Sequence, residues 1–387
     1  MKIMHILLLS SLLLLSAKAS SMEEEMAKMK AEFASFKQEQ MSDFDAYKKA
    51  LDAEYEAYQK ELQVYWRDPK LSTKTAWVSY DKSKKTRSEV DFEKNTVTVE
   101  TIASSEEEAE KNLKKSLAYA VDSDTKKVSQ TDPLQKKIAQ LSQGPKVVSA
   151  KIDARPILSN VVFKKPPTKQ ELIIYTQKVV KKEKIVTKPS KLPNQKIYKI
   201  TIALPKDTTL KRSRVYLEDV RSNSQRFELP LPLIFAIMQT ESNFNPFAKS
   251  HIPAFGLMQI VPKSAGVDAY KFLKKRERMP SAAYLYNGTN NIEMGSAYLH
   301  ILYYRYLRKI KNPRSRMYCT IAAYNTGAGN IAWAFTRKNN MSKAAPKINA
   351  LTPDEVYNQL LSDLKYDEPK HYLKRVNKRM SAFNKAY

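Results

Sequence analysis

"MQTESNFNPFAKSHIPAFGLMQ", residues 238–259, sets one carboxylate, Glu241, at the end of an apolar run that begins at Leu233. Pro232 suits the first turn of a helix. Leu233, Ile234, Ile237 and Met238 then form an inward face, and Glu241 stands four residues beyond Ile237 and three beyond Met238, on the same side. Low-dielectric surroundings disfavour the charged form of such an acid and keep a proton available near neutral pH. A lone general acid is one reading. The other is a buried Glu neutralised by one of the chain's many Arg or Lys residues.

Three further segments bear on the choice. "FGLMQ", 255–259, supplies Gly256, whose missing side chain permits close approach of backbone to a ligand, an apolar floor in Leu257 and Met258, and an amide in Gln259. "AAYNTGAGN", 322–330, ends a helix with Tyr324 and Asn325 before Gly327, which sets a hydroxyl and an amide at a pocket rim. "HYLKRV", 371–376, brings Tyr372 on a last helix. Each is open to a plainer reading, as a turn, a core aromatic or a cap. The histidines His5, His251, His300 and His371 never fall at metal-ligand spacing, so neither a metal nor a cofactor is expected.

In order and spacing these pieces resemble the lytic transglycosylase family with a goose-lysozyme-like catalytic domain. The matching residues are Glu241-Ser242, Gly256-Leu257-Met258-Gln259, Ala323-Tyr324-Asn325 with Gly327, and Tyr372, and "NNIEMGSAYL" with Asn291 and Gly295 looks like the family's middle helix. The resemblance implies that Glu241 protonates the oxygen between N-acetylmuramic acid and N-acetylglucosamine in peptidoglycan glycan strands. As a carboxylate it then takes the proton of the muramic C6 hydroxyl, which attacks C1 and closes a 1,6-anhydro ring. Most glycosidases need two carboxylates; here the substrate is its own nucleophile and one acid suffices. Tyr324 and Tyr372 are implied to orient the acid, and Ser242, Gln259 and Asn325 to hold substrate groups, with Gly256, Leu257, Met258 and Asn291 also expected among the substrate-binding residues. Two rivals stand beside this reading. A goose-type lysozyme would hydrolyse the same bond with Asp268, Glu277 or Glu293 as second acid, and a non-catalytic wall-binding protein would need only a basic surface.

Working outward, the chain reads as α+β overall, an amino-terminal helix and small α+β domain followed by an all-helical lysozyme-like domain. Met22 to Trp66 holds no Gly or Pro, and Leu51, Tyr55, Tyr58, Leu62 and Tyr65 recur at helical spacing. This amphipathic segment, within 20–69, is expected to pack on its own protein. In the α+β stretch, 70–205, "AWVSYDKSKKTRSEVDFEKNTVTVETIA" alternates through Val90, Phe92, Val97, Val99 and Ile102, which predicts two antiparallel strands with a turn near Lys94-Asn95. Ser104-Ser105-Glu106 opens a helix to about Val121, and "KVVKKEKIVTKP" and "QKIYKITIALP" read as further strands. These strands resemble the extra domain of the membrane-bound, C-type branch of the family. From residue 206 to 387 the pattern is helical throughout, as in "RSRVYLEDVR", "LIFAIMQTE" and "SRMYCTIAAYN".

The 387 residues carry 67 basic against 40 acidic side chains, a net charge of +27, which argues for a polyanionic partner. Residues 206–387 alone hold 30 basic and 13 acidic, or +17. The start, MKIMHILLLSSLLLLSAKAS, reads as a secretory signal over 1–19, cut after Ala19. Export makes nucleic acid an unsuitable partner. The single cysteine, Cys319, allows no internal disulfide and is no lipid-attachment residue, which departs from the lipoprotein habit of the C-type branch. A periplasmic enzyme is expected, with peripheral outer-membrane or cell-wall association left open.

Overall fold

The computed structural model describes residue 26 and residues 45–141, 146–251 and 253–387. The expected leader and the first half of the amphipathic segment lie outside these. Residues 45–63 are helical, and Leu51, Tyr55, Tyr58 and Leu62 are buried, as their spacing requires. The stripe packs on its own protein. The Tyr47 hydroxyl accepts from the backbone N–H of Ala282 at 2.9 Å, and the Lys249 ammonium sits 3.4 Å from the centre of the Tyr55 ring.

The strands are β1 (Ala76–Tyr80), β2 (Thr86–Asp91), β3 (Thr96–Ala103), β4 (Val147–Val148), β5 (Val186–Pro189), β6 (Lys196–Ala203) and β7 (Met279–Pro280). Five form an antiparallel sheet in the order β1-β2-β3-β6-β5. Val90, Phe92, Val97, Val99 and Ile102 are buried, and the turn falls at Lys94-Asn95 with Asn95 at φ 53°. The first expected pair of strands proves to be three, because AWVSY pairs with β2 along its whole length. Helix Glu106–Asp122 starts where expected, its N-cap Ser105 accepting from the Glu108 N–H, and it lies on the sheet.

One expectation fails. The strand read from "KVVKKEKIVTKP" begins as the end of helix Lys169–Lys182, and only Val186–Pro189 is extended. Thr168 and Glu171 form a reciprocal capping box that starts this helix, and it packs on helix Glu106–Asp122.

Beyond β6 the chain is helical apart from the two residues of β7, which pair in parallel with β4. Helix Leu231–Ser242 is central. Every residue from Leu233 to Met238 is buried, so the helix is enclosed on all sides instead of presenting one inward face. It packs against helix Leu217–Arg226 and the last helix, Asp367–Ala386, which in turn touches helix Pro313–Thr326. The two halves share one continuous core: Trp77 of β1 packs on Phe247, with ring centres 6.4 Å apart, and Arg155 joins Asp153 to Asp219 at 2.7 and 2.9 Å. Full burial of large apolar side chains such as Phe247 stabilises by about 1.5–3 kcal/mol each.

Candidate active site

Glu241 occupies the last turn of its helix, which ends at Asn243 in the left-handed conformation, φ 48°. Its side chain is 8% exposed. Burial pushes the Glu241 pKa above the usual carboxylate range, and Lys74 and Tyr372 pull it back only in part. The negative end of the helix dipole acts in the same direction as burial. The Lys74 ammonium lies 3.0 Å from Glu241 Oε2. Glu241 is thus a buried carboxyl with a raised pKa and a lysine partner.

The Gly-Leu-Met-Gln segment forms a tight loop. Phe255 and Ile260 exchange backbone hydrogen bonds, each 3.1 Å, and residues 256–259 turn between them. Gly256 has φ +75°, and a Cβ there would lie 2.3 Å from the Leu285 carbonyl oxygen and 2.4 Å from Asn291 Nδ2. The close approach that demands glycine is thus to the protein itself, not to a ligand. Leu257 and Met258 are fully buried beneath the site and form no open floor. Met258 fills the space left by Gly295, where a Cβ would sit 2.3 Å from its sulfur.

Three of the expected contact residues hold this loop in place. The Ser242 hydroxyl donates to the Leu257 carbonyl at 2.8 Å, Asn291 accepts from the Met258 N–H at 2.8 Å, and the Tyr324 hydroxyl donates to the Met258 carbonyl at 2.8 Å. Asn291 also donates to the carbonyls of Phe255 and Leu285. Ser242 and Asn291 are wholly buried, and their polar groups are spent on backbone groups around the loop. Tyr324 couples electrostatically to Glu241 but spends its proton on the loop.

Polar groups left open mark the other side of the site. Gln259, at φ 49°, donates to the carbonyls of Ala248 and Gly256, and its Oε1 is buried without a partner. Asn325 donates to Glu368 at 3.0 Å, and its Oδ1 is likewise unpartnered. The Tyr372 hydroxyl is buried with no partner at regular hydrogen-bond geometry, yet it lies close enough to Glu241 to lower that carboxyl's pKa. Buried polar atoms are seldom orphaned, and one of these three, the Tyr372 hydroxyl, stands beside the acid. A groove of about 370 Å³ lined by Asp268, Tyr298 and Tyr306 continues from Tyr298, whose ring meets Tyr324 edge-on at 5.7 Å.

Residues 218–346 match the model described as "Transglycosylase SLT domain", and residues 44–162 match "Membrane-bound lytic murein transglycosylase C, N-terminal domain". The membrane-bound lytic murein transglycosylase C of Sodalis glossinidius is 45% identical over 183 residues, 47% of this chain and 50% of that protein. The 70 kDa soluble lytic transglycosylase of Escherichia coli is similar at 24% identity over 46% of this chain and 25% of that one, with a TM-score of 0.35. The protein of the same name as the first from Serratia proteamaculans is 33% identical over 312 residues, 80% of this chain and 82% of that protein. The chain belongs to the membrane-bound lytic murein transglycosylase C family.

As a lytic transglycosylase it is an enzyme acting on peptidoglycan. Two charged residues of its site were missed in the sequence. Lys74 comes from the stretch matched by the transglycosylase C N-terminal domain and was one of many lysines, with no periodicity linking it to Glu241. Glu368 stands four residues before Tyr372 on the last helix, where one helical turn sets both on one side, and it raises the Glu241 pKa. The acids weighed as second carboxylates are otherwise engaged: Glu293 with Arg226 at 2.6 Å, Glu277 with Lys271 at 2.7 Å, and Asp268 with the Tyr306 hydroxyl at 3.4 Å.

Proposed function

We propose that this transglycosylase cleaves the β-1,4 bond between N-acetylmuramic acid and N-acetylglucosamine with Glu241 as both acid and base, leaving 1,6-anhydromuramic ends. The observation that carries this reading is the single buried carboxyl with a raised pKa among Tyr372, Tyr324 and Lys74. In the first half-reaction Glu241 gives its proton to the glycosidic oxygen as the C1–O bond breaks. In the second its carboxylate removes the C6 hydroxyl proton while that oxygen bonds to C1. The proton count returns to its start, so no outside base is needed. Tyr372 steadies the acid, and Gln259 and Asn325 offer their unpartnered oxygens to hydroxyl and amide groups of the sugar chain.

The hydrolytic alternative needs a second carboxylate. Glu368 is the carboxylate that acts on Glu241, but it is exposed and bound by Asn325. We read the enzyme as exported and held at the wall through its basic catalytic half, +17 over residues 206–387, which suits the lactyl and stem-peptide carboxylates of peptidoglycan. Among the described residues no helix is long and apolar enough to cross a membrane. The test is Glu241→Gln, which keeps the shape and removes the transferable proton: turnover of purified sacculi should fall by about 10²–10⁴-fold while the protein still pellets with them. An active Glu241→Gln enzyme would remove the mechanism.

A further inference from the structure

Lys74 is set by its loop, not by chance contact. The backbone from residue 67 to 75 is pinned at several points. Arg87 donates to the Asp68 carbonyl at 2.8 Å, and the Tyr80 hydroxyl both accepts from the Lys70 N–H and donates to the Lys70 carbonyl, at 2.9 and 3.0 Å. Ser72 bonds the Val78 N–H at 3.0 Å, Thr73 N–H bonds the Ala76 carbonyl at 2.9 Å, and Phe92 N–H bonds the Thr75 carbonyl at 2.8 Å. From the catalytic half, the wholly buried Asn245, four residues after Glu241, donates to the Thr73 carbonyl at 3.1 Å. Sheet and catalytic helix end thus grip the same loop from both sides, and its lysine is aimed at the acid.

The surroundings of Glu241 otherwise hold little to balance a negative charge. Tyr372 and Tyr324 are neutral phenols, and Glu368 repels. Arg379 of the last helix directs its guanidinium to the Thr240 hydroxyl at 2.9 Å. Lys74 is the group that meets a carboxylate oxygen, with its own side chain 36% exposed and so able to keep water on its far side.

We infer that Lys74, supplied by the amino-terminal half of the chain, is a positioning residue of the reaction: it holds the Glu241 anion formed when the proton leaves and keeps that anion oriented for its second task as base. This rests on the acid–base reading of Glu241 given above. When Glu241 is protonated the pair weakens, since a neutral acid attracts an ammonium less. When the proton has passed to the glycosidic oxygen the full ion pair forms, which favours bond cleavage. The C6 hydroxyl proton then returns to Glu241 and the cycle closes without change in Lys74. Lys74, together with Tyr372, also limits how far burial raises the acid's proton affinity, because opposite charge favours the ionised form.

The test is the pH dependence of turnover on purified glycan strands by the full chain, for wild type, Lys74→Met, Lys74→Gln and Lys74→Arg, with Glu241→Gln as control. The two neutral variants should turn over about 10- to 100-fold more slowly at similar KM, and their activity should fall off at a pH about one unit higher than in the wild type, because Glu241 stays protonated longer. Lys74→Arg should keep the wild-type position of that limb. A structural lesion would lower activity without moving the limb, so an unmoved limb in both neutral variants, or an equal shift in Lys74→Arg, overturns the inference. Glu241→Gln separates the two layers: if it is inactive and the Lys74 variants match wild type, only the role of Lys74 falls, whereas an active Glu241→Gln removes the underlying reading.

Discussion

Asn291 accepts a hydrogen bond from the Met258 N–H at 2.8 Å, and its amide donates to the Phe255 and Leu285 carbonyls at 2.9 and 2.8 Å. One wholly buried side chain on the middle helix therefore ties two backbone groups of the loop under Glu241 to a third in helix Ala282–Tyr286. Replacing Asn291 with Leu removes the side-chain partner of the Met258 N–H and of the Leu285 carbonyl in the core, while the Phe255 carbonyl keeps the Ile260 N–H, and each orphaned group costs about 1–3 kcal/mol. The thermal midpoint should drop by at least about 5 °C. Calorimetry of the purified variant checks this, and an unchanged midpoint contradicts the bracing role.

Gly256→Ala is a sharper probe of the same loop. A φ of +75° strains any L side chain, and the new methyl would lie 2.3 Å from a backbone oxygen that cannot swing aside. Strain and overpacking together should cost about 2–4 kcal/mol, visible as a lower urea midpoint with little change in slope. Gly327 makes a useful contrast: its φ is +83° but nothing lies within 4 Å of its absent Cβ, so Gly327→Ala should cost only the conformational part, about 1–2 kcal/mol. Equal midpoints for the two variants would contradict the difference in packing.

Asp132 gives a pH prediction away from the site. It caps helix Pro133–Gln140 by accepting from the Gln135 N–H at 2.9 Å, and burial pushes its pKa from 3.8 to about 6. A raised folded-state value means that the protonated form suits the fold, so this contribution is complete below pH 4 and is lost as pH rises through 6. At about 1.36 kcal/mol per unit the loss approaches 3 kcal/mol. Asp132→Asn keeps a capping oxygen without the charge. Measured by denaturant titration, its stability relative to wild type should be clearly higher at pH 7.5 than at pH 4, and an equal difference at both would contradict the buried-charge account.

Glu368 separates the one-acid mechanism from hydrolysis. It couples to Glu241 and receives the Asn325 amide, yet it is exposed and has no task in ring closure by the substrate's own hydroxyl. Glu368→Gln should retain turnover within about tenfold of wild type, since it removes no proton donor or base. A loss of 10²-fold or more in an assay on sacculi would make Glu368 a base and favour a lysozyme.

Much of this was legible in local sequence, for reasons the structure makes plain. Ser104-Ser105-Glu106 announced its helix because a cap bonds within four residues, and the tyrosine stripe from Leu51 to Leu62 reads directly as one buried face. Glu241 was found by its position after an apolar run. The helix Lys169–Lys182 was missed although Thr168 and Glu171 spell a capping box, because Val179 and Val180 favour strand and Ile173 and Ile174 are exposed, which blurs the helical period. The hydrogen bonds by which Ser242, Asn291 and Tyr324 brace the loop were not legible, because a motif fixes residue type, and only three-dimensional placement tells which backbone group a side chain meets. Lys74 was beyond reach altogether: its pairing with Glu241 joins a loop before β1 to a helix in the other half, and nothing local encodes that meeting.

The most direct test of the central claim is the mass of the products released by the wild-type enzyme from purified peptidoglycan. With Glu241 serving as acid and then base, and the muramic C6 hydroxyl as nucleophile, each released muropeptide should end in 1,6-anhydromuramic acid and weigh one water less than its hydrolytic counterpart. Reduction with borohydride should leave these ends unchanged. Products carrying a reducible muramic acid end, at the mass of the hydrated species, would contradict ring closure and assign the site to hydrolysis.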